Sequence, residues 1–473
     1  MRADYKKIDA EDIAFFEKTL GAAHVIYDKE NLLRYAHDET EGLEFMPELV
    51  LLPSESEEVS AILRYCHSKK IPPTVRGAGT GLSGGALAVM GGISLSTERM
   101  NRILELDELN LQVCTQPGVI TQVLQETVAA KGLYYPPDPS SRGSCFIGGN
   151  LAENAGGPRA VKYGVTKDYV LALEVVLANG DIIKTGAATL KNSTGYNLTQ
   201  LFVGSEGTLG IITKIYLKLI PLPSHNICLL ASFGGADKAC EAVSAIFRKG
   251  IVPSALEFME KDAIDWTLKF KPELHIQVEP EVQGHLLIEL DGNDIDYLMK
   301  EAEKLFEVLE EFDCQSLQVA QSESEKNALW LMRRSVAEAV KSNSIYKEED
   351  TVVPRYYLPH LLKGVKEIGK KYGFKSVCYG HAGDGNLHVN IIKGDLSEEF
   401  WQSEIKKGIR EIFELTVGLG GTLSGEHGIG WVQKEYMDIA FSEKELELQR
   451  KIKALFDPEF ILNPSKIFPE KEE

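Results

Sequence analysis

The chain has 473 residues, 44% hydrophobic and 26% charged, a balance that fits a folded water-soluble protein and a length that calls for two or three packed units. Its formal net charge of -19 leaves no basic stripe to displace counterions from a phosphate backbone, which excludes nucleic acid as a partner. Seven scattered cysteines without CxxC spacing exclude a cysteine-held iron–sulfur cluster or zinc site, and fit free thiols in a reducing cytoplasm.

Residues 1–46 read as a helical lead-in with no apolar signal core, and no stretch reaches the ~20 apolar residues of a membrane span, so a cytoplasmic location is expected. A β-α-β alternation follows. The segment ELVLL, enclosed by Pro47 and Pro53, predicts a short buried strand, and Ser54 with Glu57 has the spacing of a capping box. Val59, Ile62, Leu63 and Cys66 then recur at helical period. Ile71 to Val75 predicts a strand that runs into Arg76-Gly77-Ala78-Gly79-Thr80-Gly81-Leu82-Ser83-Gly84-Gly85. Small residues there let the backbone approach a pyrophosphate, and successive N–H groups can form an anion nest.

Three more segments of this kind follow: Pro136 to Ser141, a rigid polar corner; Ile147 to Gly157 (IGGNLAENAGG), a run of small residues; and Gly204 to Thr213 (GSEGTLGIIT), a glycine turn entering a strand. Between the last two, Asn179-Gly180 predicts a tight hairpin. Several small-residue loops within one unit suit a long cofactor threaded between them. In this order the motifs resemble the FAD-binding domain of the vanillyl-alcohol oxidase superfamily, in its glycolate oxidase and D-lactate dehydrogenase branch. The resemblance implies an α+β fold: an FAD-binding domain of two α+β subdomains (PCMH type), an α+β cap domain with an antiparallel sheet, and a C-terminal segment. It also implies that Arg76, Gly77, Ala78, Gly79, Thr80, Gly81, Ser83 and Gly84 cradle the pyrophosphate. Pro137, Asp138, Ser141, Gly148, Gly149, Asn150, Asn154, Gly156 and Ile212 would line the rest of the flavin. Some relatives bind flavin covalently through a histidine in the first loop; Thr80 and the absence of a histidine there imply non-covalent FAD. Cys145, just before the second loop, reads as a small core filler.

Ile220-Pro221-Leu222-Pro223-Ser224 is a proline-punctuated linker. Beyond it glycine thins out, and amphipathic helices over 236–249, 296–312 and 359–373 alternate with strands such as HLLIELDG and SLQVAQSES, which predicts a second unit with an antiparallel sheet. The expected division is therefore 1–46, 47–220, 221–419 and 420–473, the last returning to the flavin.

Two motifs of the second half carry chemistry. Gly380-His381-Ala382-Gly383-Asp384-Gly385-Asn386-Leu387-His388-Val389-Asn390 sets two histidines on either side of a turn, and Ser424-Gly425-Glu426-His427-Gly428 follows some forty residues later. Two imidazoles and a carboxylate are the ligand set of an open divalent site with room for substrate oxygens; zinc, manganese and iron all accept it. By the resemblance, His381, His388 and Glu426 hold the metal, His427 is the base, and Asn390 contacts substrate or the metal's surroundings. The WxxR pattern ending at Arg333 implies a substrate-carboxylate anchor with a catalytic part, Lys347 a second anchor, and Asn463 of Asn463-Pro464 a contact to the flavin edge; a plain Asn-Pro turn is equally open there.

The expected reaction is FAD-dependent oxidation of a small D-2-hydroxy acid, D-lactate or glycolate, to the 2-oxo acid. A D-2-hydroxyglutarate dehydrogenase and a flavin-binding electron-relay subunit are the alternatives. Electrons would leave to oxygen, a quinone, electron-transfer flavoprotein or an iron–sulfur subunit; a homodimer stays open.

Overall fold

The computed structural model describes residues 4–276 and 278–470. Their contacts divide the chain into two units, one formed by the residues up to Ala155, Val165–Leu222 and the chain from Glu426 onward, the other by Gly156–Gly164 and Pro223–Gly425. The passage at Leu222 to Pro223 falls inside the proline-punctuated stretch. The nine residues from Gly156 that join the second unit have no counterpart in the sequence pattern.

The first unit holds a four-stranded sheet in the order Val25–Ile26, Leu49–Leu51, Ile93–Ser96, Pro73–Arg76, the last three parallel. The helix Ser56–Lys69 makes the crossover, and Val59, Ile62, Leu63 and Cys66 are all fully buried on it. Each such side chain contributes roughly 1.5–3 kcal/mol on leaving water. The cap differs by one residue from the expected Ser54/Glu57 pair: Glu55 is the N-cap, and Glu58 turns back to accept from the Ser54 N–H at 2.6 Å and its hydroxyl at 3.1 Å. Glu58 rather than Glu57 stands three residues after the cap, where a side chain can reach back. A second, antiparallel sheet runs Ile103–Asp107, Gln112–Thr115, Ile211–Lys218, Val170–Val176, Ile182–Gly186. Its last two strands are joined at Asn179-Gly180, where Gly180 takes φ 86°, the left-handed value the hairpin needs.

The second unit is built on a seven-stranded antiparallel sheet in the order Cys314–Val319, His225–Phe233, Gly284–Gly292, Ala255–Glu260, Lys375–Gly380, Asn386–Ile392, Tyr346–Val352. Helices Ala236–Arg248, Ile295–Glu310 and Leu358–Tyr372 fall where the apolar periodicity predicts them. One face packs Leu230, Leu287, Met259 and Val377 against Leu329, Met332 and Val336 of the helices Glu323–Arg334 and Val336–Asn343. Glu257 lies between Ala255 and Met259 on that face, where Glu289 and His285, opposite Ala255 and Met259 on the neighbouring strand, are buried as well. No helix among the described residues is long and apolar enough to cross a membrane, and all seven cysteines are free thiols.

Candidate functional site

In the first unit the strand Pro73–Arg76 delivers its carboxyl end into the glycine-rich loop. Among the described residues, none of the main-chain N–H groups from Gly77 through Ser83 donates to a protein acceptor; the next one, of Gly84, reaches Thr40 Oγ1 at 2.8 Å. The loop glycines are used in different ways. A Cβ on Gly79 would collide with the Arg76 guanidinium at 2.1 Å, whereas a Cβ on Gly81 would meet nothing within 4 Å. Arg76 is buried and lies over the Tyr35 ring at 5.7 Å; among the described residues neither its Nη1 nor the buried Ser83 Oγ has a hydrogen-bond partner.

The second small-residue run is a helix over Ile147–Glu153 rather than a loop. Gly148 is demanded by packing, because a Cβ there would sit 2.5 Å from that of Pro117; Gly149 faces open space, with nothing within 4 Å. Gly77 stands opposite, its Cβ position 3.7 Å from the Gly149 main chain. Asn150 is buried and donates to Thr121 Oγ1 at 2.6 Å, and Asn154 takes the left-handed φ of 56° and accepts from the Lys167 N–H at 2.9 Å. Pro137 and Asp138 are buried, the latter accepting from Arg142 Nη1 at 3.0 Å, while Ser141 and Ile212 are half-buried. Gly156 is buried and opens the short segment that clusters with the second unit. Cys145 lies beside Thr121 Oγ1 at 3.2 Å, and burial pushes its thiol up, as for an inert filler.

Seven successive N–H groups without a protein acceptor, a buried guanidinium with an open nitrogen, and glycines facing empty space match what a dinucleotide pyrophosphate requires. Asn463 is committed differently. Its amide donates to Gly85 O at 3.0 Å and Glu206 O at 2.7 Å and accepts from Lys466 Nζ at 3.1 Å, so the side chain ties the chain end to two glycine loops.

In the second unit His381 follows the strand Lys375–Gly380 and His388 lies on the next strand, Asn386–Ile392. Both are buried, and their rings meet edge to face with centroids 5.3 Å apart. His381 Nδ1 stands 2.9 and 2.8 Å from the two oxygens of Glu257, which also pairs with Arg333 Nη2 at 2.7 Å. Burial alone would push the Glu257 carboxyl up, but the charges of His381 and Arg333 hold it below the usual range. Nδ1 is thereby turned to a carboxylate, and Nε2 is the ring nitrogen suited to a cation.

Strand register sorts the remaining candidates. Glu348 lies opposite Asn390 and Asp350 opposite His388, so these four share a face. His388 Nδ1 is 3.6 Å from Glu348 and 3.7 Å from Asp350. Asn390 is fully buried, with both amide atoms outside ordinary hydrogen-bond geometry. Asp350 in turn accepts from Asn386 Nδ2 at 2.7 Å, Ser424 Oγ at 2.9 Å and the Gly425 N–H at 2.8 Å. Glu426 and His427, both half-buried, are the next residues along the chain.

The structure places one basic candidate away from the histidines and gives the other a carboxylate partner. Lys347 is one residue out of phase with Glu348 and Asp350; its ammonium lies over the Trp401 ring at 5.5 Å, on the opposite face from His388. Arg333 is buried over the Tyr379 ring at 5.0 Å, and part of its fork is spent on Glu257, while its Nε has no hydrogen-bond partner among the described residues. Glu257, Glu348 and Asp350 were not singled out from the sequence. Glu257 is separated from His381 by 124 residues, and no local motif announces it.

Residues 47–186 match the family described as an FAD binding domain, and residues 222–467 the one described as FAD linked oxidases, C-terminal domain. The chain is 41% identical to the glycolate oxidase subunit GlcD of Bacillus subtilis (strain 168), over 93% of this chain and 94% of that one. It is 37% identical to a D-lactate dehydrogenase of Anaerostipes hadrus, over 98% of both. Among solved structures, p-cresol methylhydroxylase shares the fold with a TM-score of 0.79 over 96% of each chain at 16% identity. The α+β architecture, the open main-chain nest and these full-length similarities agree: the chain belongs to the FAD-linked oxidases, as an FAD-dependent oxidoreductase.

Proposed function

We propose that this enzyme oxidises a small D-2-hydroxy acid, D-lactate or glycolate, to the 2-oxo acid, with a divalent cation chelating the substrate. The observation that carries the reading is the buried Glu257 on His381 Nδ1, the outer support that a metal-ligating histidine ordinarily receives. His381, His388 and Glu426 hold the cation. The names of the two relatives above support the substrate class. Bound FAD supplies the hydride acceptor, and the cation supplies Lewis acidity that lowers the pKa of the substrate hydroxyl.

The remaining work falls to the chain's own side chains. His427 takes the hydroxyl proton as general base. Asn390 offers a donor and an acceptor to substrate oxygens from the face that carries His388. Arg333 adds positive charge for the substrate carboxylate, tempered by its pairing with Glu257. The open N–H groups of residues 77–83 hold the pyrophosphate, and the other small-residue segments line the flavin. Within the division proposed for function, 47–220 binds flavin, 221–419 meets the substrate, and 420–473 returns to the flavin side. Lys347 lies on the far face of its strand, so that strand supplies no second carboxylate anchor, which favours the short acids over D-2-hydroxyglutarate. Electrons leave to oxygen, a quinone or a partner redox protein.

The test is anaerobic addition of D-lactate, glycolate, D-2-hydroxyglutarate and the L-isomers while following the flavin band near ~450 nm. Bleaching by a short D-acid or glycolate, abolished by a chelator and restored by a divalent cation, is the expected result. A yellow protein that none of these acids bleaches overturns the reading.

A further inference from the structure

Within the first unit, the loop after His427 is gripped by a buried carboxylate. Glu206 takes the left-handed φ of 51°, and its two oxygens accept from the Ile429 N–H at 2.9 Å and the Gly430 N–H at 2.7 Å. A bidentate contact to successive main-chain donors fixes both position and orientation of the loop. Gly430 is pressed onto the glycine-rich loop, where a Cβ would meet Ser83 O at 2.2 Å, and the Trp431 N–H donates to that same oxygen at 2.8 Å.

A second carboxyl reaches the same point. A Cβ on Gly428 would lie 2.0 Å from Glu153 Oε2 and 3.2 Å from the carboxyl carbon of Glu206. Glu153 Oε2 is buried with no hydrogen-bond partner among the described residues, as is one oxygen of Asp38. Lys466 faces this group, buried, with Nζ donating to Gly85 O at 3.1 Å and Leu87 O at 2.8 Å, and the Arg76 guanidinium faces Asp38. Carboxyls crowded this closely out of water cannot all be charged. Burial first, and the Glu206 charge second, push the Glu153 carboxyl well up; burial also raises Glu206, and the two N–H bonds from Ile429 and Gly430 offset that only in part.

We propose that Glu206, with the Glu153 carboxyl beside it at Gly428, is a positioning residue for His427: its grip on Ile429 and Gly430 sets the direction of the imidazole that removes the substrate proton. This inference rests on His427 acting as base. A second negative charge at Gly428 would repel Glu206 and loosen the grip. In this role both carboxyls act through the main chain of the Gly428-Ile429-Gly430 turn rather than on the substrate.

The test is a double-mutant cycle on the full-length, flavin-loaded protein. Glu206→Gln replaces one acceptor oxygen by an NH2 group and breaks the bidentate grip. It should lower kcat by up to about 100-fold, with KM and the flavin absorbance spectrum unchanged. In a His427→Ala background the same change should add no further loss, because the base it orients is gone. Glu153→Ala should lower kcat, and Glu153→Gln, a neutral isostere, should restore it. Losses that multiply in the double mutant, or a Glu206→Gln protein with a lower Tm and an unaltered kcat, would overturn the proposal. A His427→Ala enzyme that keeps its activity is the separate result that removes the base assignment, and the positioning role with it.

Discussion

The glycine-rich face of the first unit and the histidine–carboxylate face of the second are built in opposite ways. In the first, main chain is what is presented: among the described residues the N–H groups of residues 77–83 have no protein acceptor, and small residues clear the way to them. In the second, it is side chains on rigid strands. His381, His388, Glu257, Glu348, Asp350 and Asn390 gather through strand register, and each imidazole has a carboxylate within 4 Å of its Nδ1. A main-chain nest tolerates any side chain that does not intrude, so its substitutions should act by steric occupation. A side-chain constellation depends on charge, so its substitutions should act by electrostatics.

The largest effect is expected where charge is removed from the second mode. His388→Ala or Glu426→Ala should keep bound flavin yet lose turnover by more than the roughly 10–100-fold typical of an outer-shell residue. Steady-state assays with flavin quantified by absorbance check this, and full activity in a metal-stripped Glu426→Ala protein would falsify the metal assignment. Next comes Glu257→Gln, which removes the carboxylate behind His381. Its expected cost is about 10–100-fold in divalent-cation affinity, read by cation titration, with flavin content unaltered; an unchanged affinity would mean that Glu257 serves Arg333 alone.

Smaller effects sharpen the first mode. Gly148→Ala drives a Cβ to 2.5 Å from Pro117 and should cost about 1–3 kcal/mol of stability by overpacking. Gly149→Ala meets no protein atom and should leave thermal stability equal or slightly higher, because alanine favours the helix by about 0.5–1 kcal/mol. It should still weaken flavin retention on dilution, since it fills the space beside the nest. Thermal melts paired with flavin-release measurements separate the two glycines, and equal flavin retention in both would argue against a nest lined by Gly149.

The remaining effect concerns a histidine whose ring nitrogens have no hydrogen-bond partner among the described residues. His285 is buried in the same seven-stranded sheet with neither ring nitrogen partnered, and burial, aided by the charge of Lys261, lowers its pKa to about 4. Below pH 4 both folded and unfolded forms bind the proton; between 4 and 6.5 only the unfolded form does. The folded state therefore loses stability as pH falls through that window. Chemical denaturation at several pH values should show a shallower slope between pH 4 and 6.5 in His285→Leu than in the wild type. An identical slope would place the acid sensitivity elsewhere.

How much of this was legible before folding follows from the same contrast. A main-chain nest is written contiguously, because the residues that must be small are neighbours along the chain; Arg76 to Gly85 could be read directly. The amphipathic helices were legible too, since Val59, Ile62, Leu63 and Cys66 declare their buried face at a fixed period. The cap of that helix was read one residue early because Glu57 and Glu58 are both acidic, and only the backbone decides which of them turns back.

By itself, then, the sequence determined the glycine loops, the paired histidine motifs and the alternation that builds each unit, all of them local patterns imposed by backbone sterics and by side-chain period. Tertiary structure alone decided which carboxylate stands behind His381, which face Lys347 takes, how much of Arg333 is spent on Glu257, and that Glu206 and Glu153 meet at Gly428. The physical reason is that a charge–charge contact depends on distance in space. Strand register and chain crossovers bring together residues such as Glu257 and His381, or Glu206 and Ile429, across more than a hundred positions whose intervening sequence carries no trace of the pairing.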